Sequence, residues 1–405
     1  MNNTTITLNL TLPDVPFILD IQSLYDKLCG LTDLRNPKGV RYHLPVLGLL
    51  ALLAKFAGQN TIEEIAAWAK GHCLELVQLL GLTRTTMPHP VTWSRVLGDK
   101  LNCEQLEKLI SDHFKAQLGS QIPAQGRGSL TISIDGKTLR GTIPAGAKRG
   151  VHLMAAYLPQ QGIVVAQIEV GAKTNEITAA PKLLKMVDLS GIVVTGDAMQ
   201  AQKELSVQIV ADGGDYLWLV KANQAGLLGE IEQLFEPMAW GAGFSPPPLQ
   251  IEQHVQYNQG HGRVEKRTIS ISNELAGYSY WPHLAQVFKL EREWLELSSD
   301  EVKREVRYGI TSLPREVAGP QRLMQIARQE WGIENSLHWV RDVTFREDES
   351  QLRRGKAPQV LAILNNVVLG TFRLGLGGKS NVAKARREWG YAFSRALFEA
   401  RLGSA

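Results

Sequence analysis

Two aspartates and a glutamate are conspicuous for their positions in the chain. Asp135 closes the stretch TISID, where polar and β-branched residues alternate as they do along a strand. Asp197 likewise follows the apolar run IVVTG. A carboxylate buried without a partner is costly, so each of these groups needs a cation, a shared proton or a metal ion. Strand ends in α/β sheets are where side chains converge on a ligand. If the two strands are neighbours, the pair must share a proton as an acid–base dyad or bind a cation that neutralises both. Taken singly, each Asp also suits a turn or a helix cap. The third acid comes from WGIENSLHWVRDV, where Glu334, His338 and Arg341 fall at i, i+4 and i+7 and share a helix face. Trp331 and Trp339 flank them, which points that face into a lined cleft, and Asp342 is the alternative third carboxylate. A further segment, HGRVEKR, sets Arg263, Glu265 and Arg267 on one side of a strand, either as a salt-bridged ladder or as a phosphate-gripping surface.

The elements that must position these groups follow from periodicity. Residues 17–118 carry helical spacing, with Thr61 and Glu64 in the form of a capping box, and cationic loops hold Arg35, Lys38, Arg41 and Arg95. The Gly- and Pro-containing linker 122–129 ends this region, so residues 1–121 are expected to form a helical N-terminal domain. From residue 130 the order reads three strands, helix, strand, helix, strand, helix, which predicts an α/β mixed sheet with flanking helices over 129–236. Residues 237–312 are strand-like and too long for a loop, so they predict a β-rich insertion subdomain before the helical 313–375. Residues 351–405 hold ten Lys and Arg against Glu388 and Glu399, a local charge of +8 in a chain of net +4. The end of that segment, 376–405, reads as a basic C-terminal tail suited to a polyanion or as a solvated helix face.

Composition sets the class. At 405 residues and 44% hydrophobic, the chain can build more than one core. Cys29, Cys73 and Cys103 show neither a disulfide framework nor zinc spacing. The apolar run from Val46 to Ala54 is too short to span a bilayer, and the start has no signal-peptide pattern, so the expectation is a cytoplasmic protein with no membrane association.

The blocks IDGKTLRG, AKTNEIT, VVTGDAMQAQK, HGRVEKR and WGIENSLHWVRDVTFREDES, in this order, resemble those of DDE insertion-sequence transposases of the H-repeat-associated (ISAs-type) family. The resemblance implies an RNase H-like core, with Asp135, Asp197 and Glu334 as catalytic and metal-binding residues and a β-rich insertion ahead of the Glu helix. It implies two Mg2+ ions, with Mn2+ able to substitute, and metal-dependent cleavage at element ends followed by strand transfer. Its partners would be double-stranded DNA, both element ends and target, and a second copy in a homodimer on DNA, associated with the nucleoid when bound. Lys137, Arg140, His261, Arg263, Arg267, His338 and Arg341 are then the expected DNA contacts, and the helical N-terminal domain a candidate for end recognition. At positions seven and four before the Glu, where related transposases carry Tyr and Arg, this chain has Ala327 and Glu330; seven after stands Arg341 for Lys. A metal-dependent nuclease, a DNA-binding protein descended from a transposase, and a two-carboxylate glycoside hydrolase are the alternative readings.

Overall fold

Alternation of polar and β-branched residues makes Leu130–Thr138 the first strand, β1, and the sheet is arranged around it. The computed structural model describes residues 21–119, 126–171, 173–236, 249–260, 262–299, 301–377 and 380–402. The order after β1 is β2 (His152–Leu158), β3 (Ile163–Glu169), α7 (Glu176–Leu184), β4 (Ile192–Gly196), α8 (Lys203–Ala211), β5 (Asp215–Val220) and α9 (Ala225–Phe235). That is the succession the periodicity predicts. Before it lie α1 (Ile21–Cys29), α2 (Leu44–Phe56), α3 (Ile62–Gly71), α4 (Cys73–Leu79), α5 (Pro90–Arg95) and α6 (Cys103–Gly119). Thr61 and Glu64 close the expected capping box at the start of α3.

Four further strands follow: β6 (Glu252–Gly260), β7 (Arg263–Ser272), β8 (Gln286–Glu296) and β9 (Glu301–Thr311). β9 pairs antiparallel with β5, so the sheet runs β3-β2-β1-β4-β5-β9-β8-β7-β6 as nine strands. The strands between α9 and the late helix therefore continue the main sheet instead of standing apart from it. Residues 237–248 lie outside the described residues. Next comes a helical rod made of α10 (Pro320–Gly332), a π-helical stretch (Ile333–His338) and α11 (Trp339–Val343). Leu323, Met324, Ile326 and Ala327 of α10 pack on Val193, Leu217, Leu219, Ile269 and Phe288, which fixes the rod across one face of the sheet.

β1 and β4 are parallel neighbours, with Ile134 opposite Gly196. Asp135 and Asp197 are therefore the next residues on adjacent strands. Asp135 does not end its strand: β1 runs on to Thr138 because β2 continues to pair with it, Asp135 against Ala155 and Thr138 against His152. It marks instead the level at which β4 stops.

The chain closes with α12 (Ala357–Leu376) and α13 (Val382–Leu402). α12 is apolar and long enough by composition to cross a bilayer, but most of it is buried against α2, α6 and β3. The basic segment expected as a tail contains a packed helix: Trp389 of α13 stacks on Phe393 at 4.7 Å and meets Phe56 of α2 at 5.3 Å. Arg386 is 4% exposed, and its guanidinium donates to the Lys55 carbonyl, the Thr344 carbonyl and Asn60 Oδ1. Apolar packing outweighs the cationic pattern here, since both cations and aromatics recur on the same helix.

Candidate active site

Side chains alternate along a strand, so Thr131, Ser133, Asp135 and Lys137 share one face of β1. That face meets the rod at every step. Arg322 Nη2 reaches Thr131 Oγ1 at 3.4 Å and Ser133 Oγ donates to the Gln329 carbonyl at 3.2 Å. Further along, His338 Nε2 lies 3.1 Å from Asp135 Oδ2, and Lys137 Nζ lies 2.5 Å from Asp342 Oδ1. Pairing strand to rod in this way brings the third acid to the first.

The π-helical stretch decides which residues face the strand. The Trp339 N–H bonds the Glu334 carbonyl five residues back, so this turn holds an extra residue. Glu334, His338 and Asp342 then look towards β1, whereas the α-helical spacing of the sequence predicts Glu334, His338 and Arg341. Arg341 corrects that expectation: it is fully buried, with Nε donating to Glu347 Oε2 at 2.7 Å and Nη1 to Gln167 Oε1 at 3.1 Å. It cannot reach a DNA backbone. Asp342, the alternative third ligand, is taken up by Lys137.

Ligand atoms of Asp135, Glu334 and His338 lie within 4.8 Å of one another, the one such cluster of His, Cys, Asp and Glu among the described residues. Asp135 Oδ1 accepts from the Gly136 N–H at 2.8 Å and its Oδ2 faces His338, so both oxygens are oriented. Glu334 is exposed. Asp197 stands outside the cluster: its side chain is 57% exposed, accepts from the Ala198 N–H and pairs with Lys221 Nζ at 3.2 Å. Hard carboxylate oxygens and one imidazole suit a divalent cation. Among the buried atoms without a hydrogen-bond partner are His338 Nδ1 and Glu330 Oε2, as expected where polar groups line a site for an outside ligand.

Glu330 is a site residue that sequence reading undervalued. It lies one α-helical turn before Glu334, and burial pushes its carboxyl up to about 8. The charges of Asp197 and Asp135 push in the same direction, while Arg307 and Lys221 oppose them. Glu330 therefore lies near enough to both aspartates to feel their charge. The available signal was the Glu330/Glu334 spacing of four.

A second group missed at the sequence level lies on the opposite face of β1. Glu176, from the block AKTNEIT, takes His152 on one oxygen at 2.9 Å and Gln200 Nε2 on the other at 3.2 Å. His152 Nδ1 in turn meets Thr138 Oγ1 at 2.8 Å. The carboxylate thereby ties β1 and β2 to the turn after Asp197. Gly136 makes this possible, because a Cβ there would collide with the Glu176 carboxylate.

The remaining expected contacts divide. Lys137 has only 8% of its side chain exposed and is neutralised by Asp342 and Asp348, so it braces the loop instead of meeting DNA. Arg140 is open, with 81% of its side chain exposed and Asp348 at 3.5 Å. Arg267 is half-buried and paired with Glu265, and Arg263 lies on the same strand face. His261 lies outside the described residues.

Comparison with known proteins meets this geometry from outside. Residues 126–369 match the family described as "Transposase DDE domain", and residues 25–114 match its companion, "DDE_Tnp_1-associated". "Putative transposase YncI" of Escherichia coli O157:H7 is 30% identical over 91% of this chain and 92% of its own. "H repeat-associated putative transposase YhhI" of E. coli K12 is 28% identical over 92% of this chain and 97% of its own. Among solved structures, a piggyBac transposase synaptic complex with hairpin DNA aligns with TM-score 0.42 and 12% identity over 94% of this chain and 77% of that one.

Proposed function

The chain belongs to the transposase DDE domain family and is a DNA transposase, and from that premise we propose how its residues divide the work of cutting an element end and joining it to a target. The observation that carries the assignment is the convergence of Asp135, Glu334 and His338 between β1 and the π-helical turn. The family works with divalent metal, and we read Asp135, Asp197 and Glu334 as the residues that would hold two Mg2+ ions, with Mn2+ able to substitute. When bound, the ions supply positive charge that activates an oxygen nucleophile and stabilises the leaving oxygen of an in-line attack on a phosphodiester.

The protein's own groups prepare that site. Gly136 N–H and His338 hold the two oxygens of Asp135 in place. Glu176 fixes the turn carrying Asp197 from behind the sheet. Lys221 balances Asp197, and the buried Glu330 carboxyl stays protonated below about 8. The strand order β3-β2-β1-β4-β5, with β4 and β5 parallel to β1, supports an RNase H-like reading of this core. Double-stranded DNA would run past Arg140 and the β7–β9 surface, with element ends read by the helical N-terminal domain and two ends held by a homodimer. A cytoplasmic protein on the nucleoid fits that task.

The test is metal-dependent nicking of a duplex carrying the ends of the surrounding element. Wild type should nick and join; Asp135→Asn and Asp197→Asn should each lose more than about a thousandfold in rate while still binding the duplex. Undiminished nicking by either variant would overturn the assignment.

A further inference from the structure

The nine-stranded sheet has two edges, β3 and β6, and the chain treats them differently. α6 lies along β3. Ser111 Oγ donates to the Val165 carbonyl at 2.7 Å, and Glu107, one helical turn earlier, accepts from the Gln167 N–H. Val165 and Gln167 are alternate residues, so their backbone groups point the same way, out of the sheet. The register between β2 and β3 also shifts at Ala156 and Tyr157, an irregularity that further unfits this edge for pairing. The β3 edge is closed.

Among the described residues β6 has none of these devices. Its stretch Glu252–Gly260 pairs residue for residue with β7, from Ile271 to Arg263, without a shift. No described strand lies on its outer side, and α10 reaches it from one face, where Arg328 Nη1 donates to Gln256 Oε1 at 2.7 Å. The sequence EQHVQYNQG holds no proline and no lysine, and its one carboxylate, Glu252, is paired with Arg315. An unprotected edge of this length presents alternate N–H and C=O groups to any strand that can pair with them. On the face away from α10 its side chains are apolar as well: Val255 is 41% exposed and Tyr257 69%. The same face carries exposed Val264, Val302 and Val306 on the neighbouring strands.

We propose that β6 pairs antiparallel with β6 of a second copy, so that two nine-stranded sheets join into one. This names the surface of the homodimer proposed above and rests on that reading. The occupant follows from the strand's own pattern. Gln256 is the midpoint of β6, so a two-fold axis at Gln256 is the register that uses the whole strand. It sets Val255 against the partner's Tyr257 and Tyr257 against the partner's Val255, a β-branched residue on an aromatic twice over. Moving the axis to His254 or Asn258 breaks both pairs. At Gln256, Glu252 falls opposite the partner's Gly260, so no like charges meet. Between Gln253 and Gly260 the strand has neither a cation nor a carboxylate with which to select a charged foreign peptide, whereas its own copy completes its apolar stripe.

The experiment reads the oligomeric state of the full chain. Sedimentation velocity without DNA should show a monomer–dimer equilibrium with Kd of about 10 µM, as suits a small interface. Val255→Lys with Tyr257→Lys sets like charges against each other at both pairs and should raise Kd more than about tenfold. Val255→Lys with Tyr257→Glu sets opposite charges there and should return Kd to within about threefold of wild type. A second measurement uses cysteines, with Cys29 and Cys73 replaced by Ser. Directly opposite α-carbons stand about 4.5–5.5 Å apart, so Gln256→Cys should give a disulfide-linked dimer on mild oxidation. Gln253→Cys, about 20 Å from its own copy, should not. A wild type that stays monomeric without DNA, a Kd unmoved by the double-lysine variant, or linkage through position 253 in place of 256 would overturn the proposal. If the double-lysine variant dimerises on an element-end duplex as readily as wild type, the strand interface fails and the homodimer stands. If wild type itself stays monomeric on that duplex, the homodimer reading fails.

Discussion

Under one helical rod lie two sites of opposite sign. At β1 and β4 the rod brings Glu330 and Glu334 to Asp135 and Asp197, and at β7 to β9 it brings Arg328 to Arg267, Arg292 and Arg307. Other charges are paired within the chain, as with Arg341 and Glu347 or Arg127 and Asp215. These two places keep an excess instead. Uncompensated charge destabilises a fold, so its concentration at two neighbouring points under one helix indicates ligands that arrive from outside. The acidic excess calls for cations and the basic one for an anion.

The largest effect is expected at the acidic end. Glu334→Gln should abolish metal-dependent nicking, a loss of more than about a thousandfold, whereas Asp342→Asn should stay within about tenfold of wild type, because Asp342 is bonded to Lys137. The reverse outcome would move the third ligand along the rod. A smaller effect, on stability and not on DNA binding, is expected at Arg341. Removing its guanidinium in Arg341→Met leaves Glu347 buried without its main partner and should cost about 3–5 kcal/mol in chemical denaturation. A variant of normal stability with weakened DNA binding would restore Arg341 to the DNA interface.

The smallest effect concerns Glu330, which lies between the two sites. Its folded pKa of about 8 exceeds that of an ordinary Glu, so the native state holds a proton that the unfolded state has released. That contribution is complete below the unfolded value and is lost as pH rises through about 8. Glu330→Gln should therefore melt a few degrees above wild type at pH 8, with the gap closing towards pH 5, in scans without metal. A constant difference across that range would show that Glu330 is charged in the fold.

Much of this was legible in the sequence, for identifiable reasons. The alternation ending at Asp135 and the apolar run before Asp197 are period-two signals, and the succession of strands and helices after them followed from spacing alone. Glu334 needed the resemblance, since its own neighbourhood favours several acids. The π-helical turn was not legible: it adds one residue to a helix without changing the residue types, yet it exchanges Arg341 for Asp342 on the face towards β1. The ion pairs of Lys137 are not legible either, because Asp342 and Asp348 lie more than 200 residues further on. The arginine cluster under α10 depends on register across three strands, which HGRVEKR alone does not specify.

Arg386 carries a consequence for how the molecule is made. Its guanidinium, near the end of the chain, caps the Lys55 carbonyl in the last turn of α2, and Trp389 and Phe393 cover Phe56 and Trp68. Part of the surface of α2 and α3 is thus closed by residues more than 300 positions later in the chain. At roughly 5–20 residues per second, the patch around Phe56 and Trp68 stays uncovered by Trp389 and Phe393 for the time taken to add more than 300 residues. The helical half matures after the sheet has been translated, so a chain cut short before α13 has its acidic residues but not the finished body that carries them.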